Sequence, residues 1–172
     1  MGALKTLHIV GYKNSGKTTL LERWIGIVKA KGLTVAVLKH HGHAGQIELP
    51  STITDTSRFF DKGADSTLVA GGGSAQLLLN NEPSFGALKA LVTYDSPDVL
   101  LIEGFKDERG AKVVLVRSCE DWNTLQELEK IQLVIGEVDP GGYPIIKDRG
   151  DSVQLDNWFT DWLNREGHYE TI

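Results

Sequence analysis

Apolar positions along the chain follow two patterns, short continuous runs and longer stretches with helical spacing. The continuous runs predict buried strands, and they cover residues 7–10, 34–38, 98–102, 113–116 and 133–135. The helical spacing predicts helices, which cover residues 17–31, 55–62, 84–93, 125–130 and the chain from about 156. Because strands alternate with helices, we expect an α/β fold with a mainly parallel sheet flanked by helices.

Two further segments, 66–70 and 75–79, flank the run Gly71-Gly72-Gly73. A tight glycine turn between two strands predicts a β-hairpin extension. A glycine run can also bind phosphate, but this one leads into a strand and lacks a following lysine. We expect the hairpin to present an edge at which two copies pair into a homodimer.

Length and charge narrow the class of protein. The chain has 172 residues and a formal net charge of −5, which fits a single domain over residues 1–172 with its own core. Its lysines and arginines are scattered, which argues against nucleic acids or membranes as main partners. The lone Cys119 cannot form an internal disulfide, and no long apolar stretch opens the chain. We therefore expect a cytoplasmic protein.

The segment between the first predicted strand and helix is a Walker A loop, Gly11-Tyr-Lys-Asn-Ser-Gly16-Lys-Thr-Thr19, and it predicts a P-loop NTPase-type fold. Gly11 and Gly16 let several backbone N–H groups point at one phosphate, and the helix N-terminus adds its dipole. Lys17 is expected at the β- and γ-phosphates, Thr18 on Mg²⁺, and Thr19 at the α-phosphate or as a helix cap. The predicted nucleotide-binding residues of the loop are Gly11, Asn14, Ser15, Gly16, Lys17, Thr18 and Thr19.

Glu103 is the candidate acidic partner of this loop. It follows the buried run 98–102 and precedes Gly104. At the carboxyl end of a strand beside the phosphates, a carboxylate can hold Mg²⁺ directly or through water. The alternative is that Glu103 merely ends the strand in solvent. Asp98 opens the same strand at its far end, where we expect a cap or turn role.

Four features in combination are more specific than the loop alone. They are the loop 11–18, the pair Lys39-His40, Asp55 opening a helix that ends in Lys62-Gly63-Ala64, and the run Glu103-Gly104-Phe105-Lys106. With them the chain, from about residue 4 to 116, resembles the MobB family of GTP-binding proteins in molybdenum cofactor maturation. The resemblance implies a dimeric GTP-binding protein that assists the guanylyltransferase attaching GMP to molybdopterin. The implied ligands are GTP, Mg²⁺ and the molybdopterin cofactor.

Matching positions carry the family's roles onto this chain. The implied catalytic residues are Lys17, Asp55 and Glu103, and the implied metal site comprises Thr18, Asp55 and Glu103. Further implied cofactor-binding residues are Lys39, His40 and Lys106, of which Lys106 would face the cofactor or a partner. The chain departs from the family at Tyr12, where related partition-type ATPases carry a lysine that reaches across the dimer.

The histidine stretch is a second departure, because many members carry a Lys-His-Thr/Asp-His-His type sequence and this chain has Lys39-His40-His41-Gly42-His43. Three interpretations of the histidines stay open: a transition-metal site, binding of an anionic substrate or sensing of the γ-phosphate, and a solvated loop. The chain also lacks an Asn-Lys-x-Asp motif for guanine. Asp139 is the best-placed substitute, with a plain Asp-Pro-Gly-Gly turn as the alternative.

Fast hydrolysis needs a water-orienting residue and usually an arginine. No glutamine stands beside Glu103-Gly104, and Arg23, Arg58 and Arg109 lie in no finger motif. We therefore expect slow intrinsic GTP hydrolysis that a partner can raise.

Two alternatives are a small-molecule P-loop kinase and a non-catalytic cofactor carrier with a structural nucleotide. The kinase would need an arginine-rich lid, whereas residues 141–172 contain only Arg149 and Arg165.

Overall fold

The computed structural model describes residues 4–42 and 55–165. These residues form two compact units, one of residues 4–42 with 89–165 and the other of residues 55–88. The larger unit contains a six-stranded sheet, and the smaller one contains a two-stranded hairpin. No helix within the described residues combines the length and the apolar character that crossing a membrane requires.

The elements alternate along the chain as the apolar pattern predicts. The strands are β1 (Lys5–Gly11), β2 (Val35–Lys39), β3 (Ser66–Gly71), β4 (Ser74–Leu79), β5 (Val99–Glu103), β6 (Lys112–Leu115), β7 (Ile131–Ile135) and β8 (Ile145–Ile146). The helices are α1 (Lys17–Ala30), α2 (Asp55–Asp61), α3 (Phe85–Val92), α4 (Cys119–Leu125) and α5 (Ser152–Asn164).

The six-stranded sheet has the order β2-β5-β1-β6-β7-β8, and its strands are all parallel. β1 lies in the middle, and every residue of β5 and β6 is buried. Strands that are covered on both faces consist of nearly continuous apolar runs, which explains why the sequence pattern located them. The carboxyl ends of parallel strands meet at one edge, so the segments after β1, β2, β5 and β6 lie along the same edge.

Helices cover both faces of this sheet. α1 and α5 pack on one face, where the ring of Phe159 stacks on Trp24 with 4.4 Å between centroids and on Trp162 with 5.6 Å. α4 covers the other face through Trp122. The neighbouring residues Ile9 and Val10 of β1 belong to opposite cores, as alternation along a strand requires.

The smaller unit contains α2 and the antiparallel hairpin of β3 and β4. Gly72 and Gly73 form its turn with φ angles of 58° and 81°, which are the positive values that a type I′ turn needs. Leu68 and Leu77 are direct cross-strand partners and are both exposed, by 68% and 42%. Because a two-stranded hairpin is only marginally stable alone, this apolar pair is a surface that a partner could cover.

The structure confirms the mainly parallel α/β fold with a hairpin, but it corrects two predicted helices and adds one strand. The helix predicted at 125–130 is wrong, because α4 begins at Cys119, where the Ser118 side chain accepts a hydrogen bond from the Asp121 amide. α5 begins before residue 156 because Asp151 caps it at Ser152. The two-residue strand β8 was not predicted.

Candidate phosphate-binding site

The Walker A loop joins the end of β1 to the start of α1. Gly11 has a φ of 154°, and a Cβ there would lie 2.6 Å from the Leu115 carbonyl oxygen and 2.7 Å from Ser15 Oγ. Gly16 is the N-cap of α1 with a φ of 97°, and no side chain within the described residues caps this helix. Asn14 also adopts positive φ, at 62°. The loop is therefore a tight backbone turn whose helix N-terminus is available to an anion.

Lys17 lies folded against the loop. Its Nζ donates to the Tyr12 carbonyl oxygen across 2.8 Å. Burial lowers the pKa of Lys17, and the positive charges of Lys39 and Arg117 lower it further. The Glu103 carboxylate opposes this shift of the pKa. The ammonium is thus next to the loop carbonyls and within electrostatic range of the acidic group.

Glu103, the last residue of β5, contacts side chains from α1 and β2. Thr18 Oγ1 donates to Glu103 Oε2 across 3.2 Å, and Lys39 Nζ forms an ion pair with the same oxygen at 3.2 Å. Glu103 is only 7% exposed, so the interpretation that it ends the strand in solvent is wrong. A hydroxyl and a carboxylate side by side next to a phosphate loop are the oxygen ligands that Mg²⁺ prefers, so these residues fit a Mg²⁺–nucleotide complex.

Asp98 directly precedes β5, at the opposite end from Glu103, and ties that end to Thr34. Its Oδ2 accepts from both the backbone N–H and the hydroxyl of Thr34 at 2.7 Å. These hydrogen bonds lower the pKa of the Asp98 carboxyl. The acid that opens β5 is therefore structural, and the acid that ends it lies at the loop.

The segments after β2 and β5 pack against each other. The His40 amide donates to the Glu103 carbonyl oxygen across 2.9 Å, and its ring lies 4.8 Å from that of Phe105. Gly104 has a φ of 87°, and a Cβ there would lie 3.1 Å from His40 Cβ. Lys106 follows and is exposed. This packing brings Lys39 and His40 to the carboxyl end of β5.

His41, His43 and Asp55 are the other histidine and acidic candidates. His41 is exposed, and His43 lies outside the described residues. No three histidine, cysteine or acidic side chains in residues 4–42 and 55–165 are grouped to hold a metal ion. Asp55 begins α2 in the smaller unit, where it pairs with Arg58 at 3.4 Å and is 84% exposed at its side chain. Its role at the metal stays a prediction.

Asp139 forms the plain turn that was its alternative role. Its Oδ1 accepts from the Gly141 amide across 3.1 Å, which is an Asx-type turn. Gly141 and Gly142 both have positive φ. This geometry accounts for the Asp-Pro-Gly-Gly sequence without a nucleotide base.

Arg117 contacts the loop and was missed in the sequence. Its Nη1 donates to the Lys13 carbonyl oxygen across 2.9 Å, and its guanidinium lies 5.7 Å from the Tyr12 ring centroid. Asp121 holds it from the other side through two hydrogen bonds, of 2.7 and 2.9 Å. Its position in the sequence could have indicated this contact, because Arg117 closely follows a buried strand whose carboxyl end lies beside the loop.

Comparison with known proteins gives consistent matches. A family model described as MobB, molybdopterin guanine dinucleotide synthesis protein B, matches residues 6–137. A probable molybdopterin-guanine dinucleotide biosynthesis adapter protein of Bacillus subtilis is 39% identical over 131 residues, which cover 74% of each chain. The corresponding adapter protein of Haemophilus influenzae is 29% identical over 175 residues, covering 92% of this chain and 89% of the relative. The crystal structure of Bacillus subtilis MobB superposes with a TM-score of 0.75 at 34% identity, covering 91% of this chain and 96% of that one.

Proposed function

The chain belongs to the MobB family, and from that premise we propose that it is an adapter in molybdopterin guanine dinucleotide biosynthesis that binds GTP with Mg²⁺. The observation that carries the proposal is the meeting of the Thr18 hydroxyl and the Glu103 carboxylate beside the glycine loop. Asp55 is proposed as a second acidic group of the metal site. Bound Mg²⁺ would neutralise phosphate charge at this place.

Each part of the loop has its own share in binding. Gly11 and Gly16 make room for the backbone to curve around phosphate, and the first turn of α1 offers N–H groups. Lys17 would exchange its bond to the Tyr12 carbonyl for the β- and γ-phosphates. Thr18 and Glu103 would turn from each other to the metal.

Guanine is proposed as the base because the relatives are named for the synthesis of a guanine dinucleotide. Asp139 is engaged in its own turn, so we assign no carboxylate to the base. We further propose that Lys39, His40 and Lys106 face the phosphate of molybdopterin. The two lysines are exposed cations, and Lys39 and His40 both contact Glu103, the proposed metal ligand.

We propose slow hydrolysis because Arg117, the arginine that contacts the loop, is already held by other hydrogen bonds. The guanidinium of Arg117 donates to Asp121 and to a loop carbonyl, which leaves it poorly placed to meet developing charge on a γ-phosphate. We propose that the guanylyltransferase partner raises turnover. Multiple-turnover rates of roughly 10 s⁻¹ or more for the isolated protein, in the range of stimulated GTPases, would contradict this.

We also propose that two copies pair through the hairpin. β3 and β4 bond only to each other among the described strands, so each has an outer edge that a second copy could extend. The exposed pair Leu68 and Leu77 would be covered in such a dimer. A twofold axis brings the same surface of each copy together, which suits a self-complementary hairpin.

The test of GTP binding is calorimetric titration of the wild type and of Lys17→Ala with GTP and ATP, each with Mg²⁺ and with a chelator. We expect GTP to bind more tightly than ATP, Mg²⁺ to strengthen binding, and Lys17→Ala to abolish most of it. Lys29→Ala is the matched control, because Lys29 lies in the last turn of the same helix and is exposed. Preference for ATP, or binding unchanged by loss of Lys17, would overturn the proposal.

A further inference from the structure

We propose that Arg117 is a positioning residue that holds the arch of the phosphate loop, residues 12–14, in the shape that binds polyphosphate, with Asp121 fixing its guanidinium. The inference rests on the proposed function, since it concerns the same loop. The segment after β6 thereby contributes to nucleotide binding. The arginine acts through the loop backbone.

The guanidinium of Arg117 is fixed from the α4 side. Nε donates to Asp121 Oδ2 at 2.7 Å and Nη2 donates to Oδ1 at 2.9 Å, which is a bidentate pair. The Arg117 backbone N–H also donates to Oδ2, at 3.0 Å. Asp121 is buried, with its own amide bonded to Ser118 Oγ. The carboxylate is thus held in place by the cap of α4.

A third guanidinium donor of Arg117 is directed at the arch. Nη1 donates to the Lys13 carbonyl oxygen at 2.9 Å, and the guanidinium lies over the Tyr12 ring. The sheet register explains this placement, because Gly11 of β1 is paired with Leu115 of β6. The chain that leaves β6 therefore runs beside the loop that leaves β1.

Two cations bind consecutive carbonyls of the arch, Lys17 at Tyr12 and Arg117 at Lys13. When Lys17 turns to the phosphates, it must release the Tyr12 carbonyl. Arg117 is anchored differently, because Nε and Nη2 hold it to Asp121 while Nη1 bonds the Lys13 carbonyl. Arg117 therefore keeps its hydrogen bond to the Lys13 carbonyl in the nucleotide-bound state. Its substitution should lower ligand affinity by weakening the arch in that state.

The experiment measures affinity for inorganic tripolyphosphate and for GTP by calorimetry. The variants are Arg117→Ala, Arg117→Lys and Asp121→Asn. We expect Arg117→Ala to weaken binding of both ligands by about tenfold, the usual worth of a hydrogen bond to a charged group. Asp121→Asn should weaken both in the same direction. Arg117→Lys should stay weak, because lysine keeps the charge and loses the fork.

Arg23→Ala is the matched control, because Arg23 forms a similar two-contact pair with Asp156 between α1 and α5, away from the arch. It should leave tripolyphosphate affinity unchanged. Melting temperatures without ligand should fall in both variants, and further in Arg117→Ala because the carboxylate left unpaired there is buried. The temperature shift caused by tripolyphosphate should shrink in Arg117→Ala alone.

Three outcomes overturn the proposal: wild-type affinity in Arg117→Lys, a loss confined to GTP, or an equal loss in Arg23→Ala. The first would assign a role to charge alone, the second to a base contact, and the third to general stability. If Arg117→Ala does not fold, Arg117→Lys and Asp121→Asn decide by the same criteria. Tripolyphosphate has no base, so preference for ATP over GTP would overturn the proposed function and leave this result standing.

Discussion

The hydroxyl of Thr18 donates to Oε2 of Glu103 across 3.2 Å, which joins the first turn of α1 to the last residue of β5. The two residues are far apart in the sequence, and the parallel pairing of β1 with β5 brings them together. Lys39 contacts the same carboxylate oxygen from β2. The phosphate loop, the proposed metal ligands and a cation therefore meet within three neighbouring strands.

Substitution of Glu103 should uncouple nucleotide binding from Mg²⁺. We expect Glu103→Gln to lose the gain in GTP affinity that Mg²⁺ gives, by about tenfold or more, because a charged ligand is replaced by a neutral amide. Titrations with Mg²⁺ and with a chelator measure this difference. Asp98→Asn is the control, since it changes the carboxylate at the opposite end of β5. Equal dependence on Mg²⁺ in the wild type and Glu103→Gln would contradict the assignment.

Removal of the Lys39 charge should ease the entry of Mg²⁺. The ammonium lies on Glu103 Oε2, so a metal ion must displace it or share the oxygen. Because the Lys39 side chain is half exposed, we expect Lys39→Met to lower the Mg²⁺ concentration for half-saturation by no more than about fivefold. The measurement is a Mg²⁺ titration of the GTP complex. A higher half-saturation in the variant would show that Lys39 assists the metal.

A side chain at Gly11 should be incompatible with the loop. A Cβ there would overlap the Leu115 carbonyl oxygen in a backbone conformation that favours glycine. We expect Gly11→Ala to reduce the free energy of unfolding by at least about 2 kcal/mol and to abolish GTP binding. Urea unfolding and calorimetry measure the two effects.

Gly26→Ala provides the matched control for Gly11. Gly26 lies within α1, and nothing is within 4 Å of a Cβ added there. This change should raise the free energy of unfolding by about 0.5–1 kcal/mol, as expected for alanine in a helix. Similar destabilisation by both substitutions would show that the loop does not have the tight geometry described.

Acid should selectively remove the contribution of Asp121. Hydrogen bonding from the Arg117 side chain is the main cause that lowers the pKa of Asp121 from 3.8. Its stabilising effect is therefore fully present above the unfolded pKa and is lost as pH falls through the folded pKa. Urea unfolding between about pH 2 and 6 should show Asp121→Asn approaching the wild type as pH falls. A constant difference across that range would contradict the pairing.

A charge on the hairpin should prevent dimer formation. Leu68 is 68% exposed, and its neighbour across the strands is Leu77. We expect Leu68→Lys to be monomeric in light scattering at concentrations where the wild type is dimeric. Val153→Lys changes a side chain of 67% exposure on α5 and should leave the dimer intact. A monomeric wild type at all accessible concentrations would exclude the proposed pairing.

The parts of the fold that the sequence predicted are those with strong local signals. The buried strands β1, β5 and β6 consist of apolar runs, and the glycines at 71–73 mark the hairpin turn. α4 was misplaced at 125–130, although Ser118 and Asp121 carry the cap signal of a helix that begins at Cys119. β8 has two residues, too few for any period.

Only those parts of the site that have a local signal in the sequence were predicted. The Walker A loop is contiguous, and Glu103 could be placed because it directly follows a buried apolar run, at the carboxyl end of the predicted strand. The contacts of Lys39 and Arg117 depend on which strands are neighbours in the sheet. That order is a tertiary property, and a single sequence carries no local pattern for it.

The central place of β1 also bears on synthesis of the chain. β1 is synthesised before both of its neighbours in the sheet, which begin at Val99 and Lys112. Pairings across such long loops are slow to form, because loop entropy is lost before contacts compensate. A nascent chain that ends before β6 lacks both Leu115 against Gly11 and Arg117 against the arch. The proposed nucleotide binding should therefore begin only after β6 and Arg117 have emerged.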